Sequence, residues 1–471
     1  MSGTHDRSLH ITPGHILAIC GLMGVLLLHA CAKEAVVQYR NVPALTPGTR
    51  AEMNTPGFWI GRHASPDTPV MTGAQIESFN AAVRQTTRAV YDLTGFSATR
   101  SGTNLRSSLK RMLESIASRN YVTRDGQPVG RETLGTVEHL MALDAIPETV
   151  SVHWAYVVMP CDQRLLPVEE PYYKSTTDIA IDRLQNNALD LATPLVVLHA
   201  STDGKWLYAI CPYSEGWVKA ESVALCPREE MQRYEAWDDF VVATAGKADL
   251  YDDPFRTRHH TSVHMGVRLP LLQEADRDTV QVLIPVRTDG GWCVFDAAYA
   301  SAAQVHRGYL PCTPRTAITQ AFRLLNTPYG WGGMYGEQDC SRFVQEIFAC
   351  MGILMPRNSG SQAKVGRLAA SFGRDDPAER RREALVSATG GLTTLQFPGH
   401  IMLYLGEIDG EPYAIHDLYA YTEPVRDGDD VLVPVSRVAV TSLAIGEGTQ
   451  KGSLLMRLVN VREIAPYAMK E

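Results

Sequence analysis

Between residues 150 and 310 the chain runs as short β-type segments broken by turn residues, and this texture constrains the fold more than any other feature. "VSVHWAYVVM", "TPLVVLHAS", "KWLYAICP" and "GWVKAESVAL" come first; "DDFVVATAG", "VRLPLLQ", "VQVLIPVRT" and "GWCVFDAAYA" follow. Strands this short, at this spacing, predict small barrels. "TDGKW" (202–206) and "TDGGW" (288–292) each follow an apolar strand, and an Asp-Gly turn leading into a tryptophan is sound hairpin chemistry. The echo predicts two copies of one barrel, at 149–228 and 229–311.

The flanks read differently. With 471 residues the chain exceeds one compact core and divides into several domains. Before the barrels, Ile76, Phe79, Val83 and Val90 share a face over 72–93, and Thr72 with Gln75 forms a capping-box signature. Leu105, Leu109, Met112, Leu113 and Ile116 repeat the pattern over 104–118, which predicts a small helical domain at 50–148. After the barrels, 312–471 opens with the helical "TAITQAFRLLN" and closes in antiparallel strands, an α+β pattern.

Residues 16–28, "ILAICGLMGVLLL", are apolar or glycine, too short to span a bilayer comfortably and right for a signal h-region. Leu28, Ala30 and Cys31 then resemble a lipobox, so 1–30 is expected to be a signal peptide, Cys31 a lipidated anchor and 31–49 a tether. A plain secretory signal with an incidental Cys31 is the alternative. Either way the mature chain is expected to work outside the cytoplasm. Net charge is −8, which excludes the basic footprint of a nucleic-acid binder. The basic run "ERRRE" (379–383) reads as a solvated helix face, capped by Asp376 with Pro377 first in the helix. Seven cysteines lie beyond Cys31, with no CxxC pair and no metal spacing. A disulfide within 161–226 stays open, and neither metal nor organic cofactor is called for.

The chemistry concentrates in "GWGGMYGEQDCSRFVQEIF" (330–348). Phe343, Val344, Ile347, Phe348 and Met351 form one helical stripe, which puts Cys340 at the helix start. Unpaired N–H groups there favour a thiolate and can hold an oxyanion. The glycines at 330, 332, 333 and 336 let backbone approach closely. On position alone, a buried small residue beside a cap is an equal reading of Cys340. His400 opens an apolar strand and His416 lies on the return strand. Strand parity makes a demand: a two-residue Asp409-Gly410 turn puts the two rings on opposite faces, whereas an odd loop puts them on one. A histidine pair on one face supplies a base and its orienter. Asp417 is the rival orienter.

"YGWGG…DCSRF…GILMPRNSGSQ" and "FPGHIMLYLG…YAIH" resemble the NlpC/p60 family of papain-like cysteine peptidases, in particular the branch that cuts wall stem peptides between γ-D-glutamate and diaminopimelate. "STDGKWLYAICPYSEGWVKAESVA" resembles that branch's first bacterial SH3 domain, and "GFWIGRHASPDTPVMTGAQIESFN" its N-terminal stabilising domain. The resemblance implies an α+β multidomain protein: a small helical N-terminal domain, two SH3-like β-barrels and a papain-like catalytic domain at 312–471. It implies Cys340 as nucleophile, His400 as base and His416 as orienter. It places Tyr329, Asp339, Ser341, Arg357 and Ser359 along the substrate groove. The expected partners are peptidoglycan stem peptides or muropeptides and, through the lipid anchor, a membrane; the expected state is a monomer. The "GDL" block common in the family is replaced here by "GGLTTLQFPGH". Two rivals stand beside this reading: a papain-like amidase or acyltransferase on a related wall peptide, and a non-catalytic wall-binding SH3 lipoprotein.

Overall fold

The local signals hold where they are strongest. Helix α1 (Gly73–Thr87) is closed by its capping box: the Gln75 N–H donates to Thr72 Oγ1 at 3.4 Å and the Thr72 N–H to Gln75 Oε1 at 2.8 Å. It ends at Arg88, whose φ of 51° is left-handed, so Val90 lies beyond it. Helices α2 (Gly102–Ala117) and α3 (Arg131–Leu140) follow. The computed structural model describes residues 43–274, 277–426 and 428–466; the expected signal peptide and Cys31 lie outside the described residues. The helical region has no private core. Phe79 and Val83 of α1 join the cluster around Phe343 and Ile347, while Leu105, Leu109 and Leu113 of α2 join the barrel core.

Seven strands build the first sheet: β1 (His153–Val157), β2 (Cys161–Arg164), β3 (Gln185–Leu189), β4 (Pro194–Ala200), β5 (Trp206–Ile210), β6 (Glu215–Lys219) and β7 (Val223–Leu225), in the order β3-β2-β6-β5-β4-β1-β7. The second sheet holds β8 (Phe240–Ala243), β9 (Lys247–Tyr251), β10 (His259–His264), β11 (Arg268–Glu274), β12 (Thr279–Arg287), β13 (Cys293–Ser301) and β14 (Val305–Arg307). Its order, β10-β9-β13-β12-β11-β8-β14, repeats the first position for position. The Asp-Gly echo does not. "TDGKW" joins the fourth and fifth strands of its sheet, and "TDGGW" the fifth and sixth of the other. The likeness of the two sheets therefore lies in their topology, and the shared turn is independent hairpin chemistry.

The C-terminal region packs helices α4 (Pro314–Arg323) and α5 (Cys340–Ala349) on a six-stranded sheet. Its strands are β15 (Arg367–Ser371), β16 (Thr393–Phe397), β17 (His400–Ile408), β18 (Glu411–Glu423), β19 (Val431–Ser442) and β20 (Asn460–Glu463), in the order β15-β20-β16-β17-β18-β19. Phe343, Val344, Ile347, Phe348 and Met351 are all fully buried. At about 1.5–3 kcal/mol for each large apolar side chain, that stripe is the anchor that fixes the start of α5.

The basic run is not uniformly solvated. Its helix, α6 (Ala378–Val386), begins after Pro377, and Asp376 spends its carboxylate on the Gly373 N–H at 2.7 Å and on Arg380 rather than on a cap. Arg381 is buried; its guanidinium donates to the carbonyls of Asp376, Leu458 and Gly373 and lies over the Phe372 ring. A buried guanidinium is stable there because its donors are paired.

Candidate active site

The turn between β17 and β18 is the two-residue one. Asp409 and Gly410 both have positive φ, and Ile408 pairs with Glu411. Taken alone, that register separates His400 from His416. A β-bulge between Tyr404 and Gly406 shifts it by one residue, so that Leu403 faces Ile415. The shift restores parity and sets the two histidines diagonally on one face. Gly406, at φ 141°, stands at the bulge, in backbone space that favours glycine.

The two rings share a hydrogen bond of 2.6 Å between His400 Nε2 and His416 Nδ1. His416 is fully buried, and its Nε2 is bonded to Thr441 Oγ1 at 2.8 Å. The bonds form a relay, Thr441–His416–His400, that leaves His400 Nδ1 without a partner among the described residues. With Thr441 accepting, each ring donates down the chain and His400 Nδ1 is bare, the form a base requires. The opposite polarity puts a proton on that nitrogen.

Cys340 begins α5 and is 6% exposed. Asp339 is the N-cap; its Oδ1 accepts from the N–H groups of Ser341 (3.2 Å) and Arg342 (3.0 Å). The Cys340 N–H has no partner among the described residues and remains free for an oxyanion. The β17–β18 ladder starts only at Leu403, and below it the Ile401 N–H, one residue past His400, is directed at the Cys340 sulfur.

The electrostatics differ from the helix-start expectation. Burial, reinforced by Asp339, pushes the thiol up to about 12. Burial, reinforced by Arg457, pushes His400 down to about 3. Both shifts favour the uncharged forms, so thiol and imidazole are each neutral near neutral pH. The helix end cannot offset this, because the Asp339 carboxylate already occupies two of its N–H groups.

Tyr329, Asp339, Cys340, Ser341, Arg357 and Ser359 line one cavity of about 520 Å³. Arg357 is spent inside the protein: it forms a bidentate pair with Asp339 (3.0 and 2.8 Å) and donates to Ser341 Oγ and to Asn187 Oδ1 (2.6 Å). Asn187 belongs to β3, so the first barrel reaches into the site. The other wall carries Gln185, Asn186, Tyr213, Ser214 and Glu215 from that barrel, with Arg88 and Tyr91 from the helical region. The glycine loop is shaped by the same contact. Gly332 and Gly333 have positive φ, and Cβ atoms there would come within 2.8 Å of Gln185 and 2.6 Å of Ala188. Their close approach is to the barrel.

Thr441, Asn187 and Glu215 carry no sequence signal as site residues, because each arrives by a long-range contact. Asp417, the rival orienter, is fully buried with both carboxylate oxygens unpartnered among the described residues, and burial, with Asp339 and other acids, pushes it well above the usual carboxylate range. Beneath the site, Arg342 joins three regions. It pairs with Asp190 (2.8 Å) and Glu346 (2.8 Å), and Asp190 pairs with His264 (2.6 Å) of the second barrel.

Comparison with known proteins agrees with this architecture. Residues 326–420 match the model of the NlpC/P60 family, and residues 171–219 that of an SH3 domain of the SH3b1 type. The chain is 32% identical over 132 residues to a gamma-D-glutamyl-L-lysine dipeptidyl-peptidase of Bacillus cereus, covering 27% of this chain and 38% of that protein. It is 31% identical over 126 residues to the peptidoglycan endopeptidase RipB of Mycobacterium tuberculosis, covering 23% and 47%. The chain thus spans less than half the length of these relatives. Among solved structures, an NlpC/P60 endopeptidase from Photobacterium damselae subsp. piscicida has the same fold, with a TM-score of 0.69 at 18% identity, over 86% of this chain and 96% of that one. The molecule is an α+β multidomain protein that carries an NlpC/P60-family domain joined to an SH3 domain of the SH3b1 type.

Proposed function

We propose that this chain is a cysteine endopeptidase that hydrolyses the γ-D-glutamyl–diaminopimelate bond of peptidoglycan stem peptides. The observation that carries the reading is the hydrogen-bonded histidine pair at the mouth of the β17–β18 split, next to the strand segment that faces the Cys340 sulfur. In the proposed cycle, His400 takes the proton from Cys340 as the sulfur attacks the γ-glutamyl carbonyl. The Cys340 N–H holds the oxyanion, the diaminopimelate amine leaves with the proton, and water hydrolyses the thioester. His416 fixes the tautomer of His400. Because the free site favours neutral forms, substrate itself must drive the proton transfer, through the oxyanion that forms with it.

The cavity supports a preference for freed peptides. One side of it is walled by the first barrel and the helical region, with Glu215 the acidic group on that wall. In this reading the wall stops the substrate's N-terminal side, so a stem peptide short on that side is accepted and a glycan-linked stem is not. The similarity to dipeptidyl-peptidases points the same way. Tyr329, Asp339, Ser341, Arg357 and Ser359 shape the groove, with Asp339 and Arg357 acting through each other. We place the protein in the cell envelope as a monomer, with Cys31 as its lipid attachment point.

Mass spectrometry of products tests this. Wild-type protein given a free L-Ala-γ-D-Glu-diaminopimelate tripeptide is expected to release the dipeptide and the diamino acid, and whole sacculi to yield far less. Cys340→Ala is expected to release nothing. Cleavage at the muramyl–alanine bond, or unchanged turnover by Cys340→Ala, contradicts the reading.

A further inference from the structure

Two cysteines outside the candidate site meet at the junction of the two barrels. Cys226 directly follows β7 of the first sheet, and Cys293 begins β13 of the second. The residues before them, Leu225 and Trp292, form an isolated parallel bridge, and the Leu225 N–H donates to the Gly291 carbonyl at 2.9 Å. In a parallel pairing the next residues along both chains stand side by side, here Cys226 and Cys293. Neighbouring strands lie about 4.8 Å apart, inside the Cα–Cα range a disulfide needs. The sulfurs are close enough for one S–H to hydrogen-bond the other sulfur. Arg287 Nε adds a second tie across the junction, donating to the Val223 carbonyl at 3.0 Å. Both residues stand as free thiols; Cys226 is buried and Cys293 half-exposed.

We propose that Cys226 and Cys293 form an inter-barrel disulfide by exchange with a small-molecule or protein disulfide. The alternative reading is that both are buried small residues. Three features separate the pair from the chain's other cysteines: sulfur contact, backbone pairing, and exposure of one partner to an oxidant. Hydrogen bonding between them also lowers the Cys226 thiol, because the Cys293 S–H stabilises the Cys226 thiolate and is itself held up by it. With glutathione disulfide, the Cys293 sulfur attacks one sulfur as its proton passes to the adjacent Cys226 thiolate, and one glutathione leaves as thiolate. Cys226 then gives up that proton, and its thiolate attacks the Cys293 sulfur and expels the second glutathione. Two cysteine S–H bonds are lost, one S–S bond forms, and the oxidant leaves as two glutathiones that take up the two protons.

The bond would close residues 227–292 into one loop and fix the junction of the two barrels. That junction matters to the site, since the first barrel supplies Asn187 and both barrels share the Asp190–His264–Arg342 cluster. The inference stands independently of the peptidase reading.

The test uses full-length protein incubated with glutathione disulfide, quenched, unfolded, alkylated and digested without reduction. A peptide joining the segments of Cys226 and Cys293 is expected, with a loss of two alkylatable thiols that dithiothreitol restores. Cys293→Ser, a change at the half-exposed partner, is expected to abolish both effects. Glutathione held on Cys293 with no cross-link, full alkylation of both residues, or linkage of either to a different cysteine overturns the proposal.

Discussion

Thr441 offers the sharpest handle on the proposed chemistry, because it touches neither the cavity nor Cys340. Its hydroxyl is the outer end of the relay through His416 to His400. Thr441→Val keeps the shape and removes the hydrogen-bonding oxygen. A buried His416 Nε2–H then has no acceptor, at a cost of about 1–3 kcal/mol. His416 avoids that cost by moving its proton to Nδ1, which donates to His400 Nε2 and drives the His400 proton onto Nδ1. That tautomer cannot accept from Cys340. If the productive tautomer lies the same 1–3 kcal/mol above the other, its population and kcat fall roughly 5- to 150-fold. KM for a free tripeptide is expected to hold, because no cavity contact changes. Thr441→Ser restores the oxygen and should recover activity to within a few fold, which a merely structural role for the methyl group would not allow. Steady-state hydrolysis by the three proteins decides the matter. Near-wild-type kcat in Thr441→Val, or equal losses in Val and Ser, refutes the relay.

Two further outcomes follow from the electrostatics. The neutral resting forms predict that Cys340 in the free protein reacts with iodoacetamide more slowly than a free thiol at pH 7.5, with a rate still rising at pH 9; a plateau from pH 5 upward would show a standing ion pair instead. Beneath the site, burial raises Asp190 while His264 and Arg342 lower it, with a net depression, and burial lowers His264 while Asp190 raises it, with a net elevation. Asp190 therefore contributes stability above its unfolded value near 3.8, lost as pH falls through the folded value. His264 contributes below its unfolded value near 6.5, lost as pH rises through the folded one. The pair is strongest between them, so Asp190→Ala is expected to cost about 3–5 kcal/mol at pH 5.5, read by denaturant unfolding, and less at pH 8.5. A loss equal at both pH values contradicts the charged pairing.

Much of the site was legible because its signals are local. The apolar stripe over 343–351 placed Cys340 at a helix start, and the Thr72–Gln75 box placed the start of α1. The faces of the histidines were not legible. Strand parity calls for an odd loop, yet the Asp-Gly turn forms its two-residue hairpin and a bulge at Gly406, which no turn signal announces, supplies the missing shift. The same distinction explains Arg381, whose run looks solvated until Phe372 and Leu458 close over it. It also explains the thiol. Helix position favours an anion, but the burial that opposes it belongs to the assembled domains. The part played by Asn187 needed the first barrel in place before it could be seen.

The most direct measurement is acid-quenched mass spectrometry of the protein during turnover of a free stem tripeptide. An alanyl-γ-glutamyl adduct on the Cys340 peptide, labile to hydroxylamine and absent from His400→Ala, is the predicted result. Continued product formation with the adduct on another residue, or with full activity in His400→Ala, contradicts it.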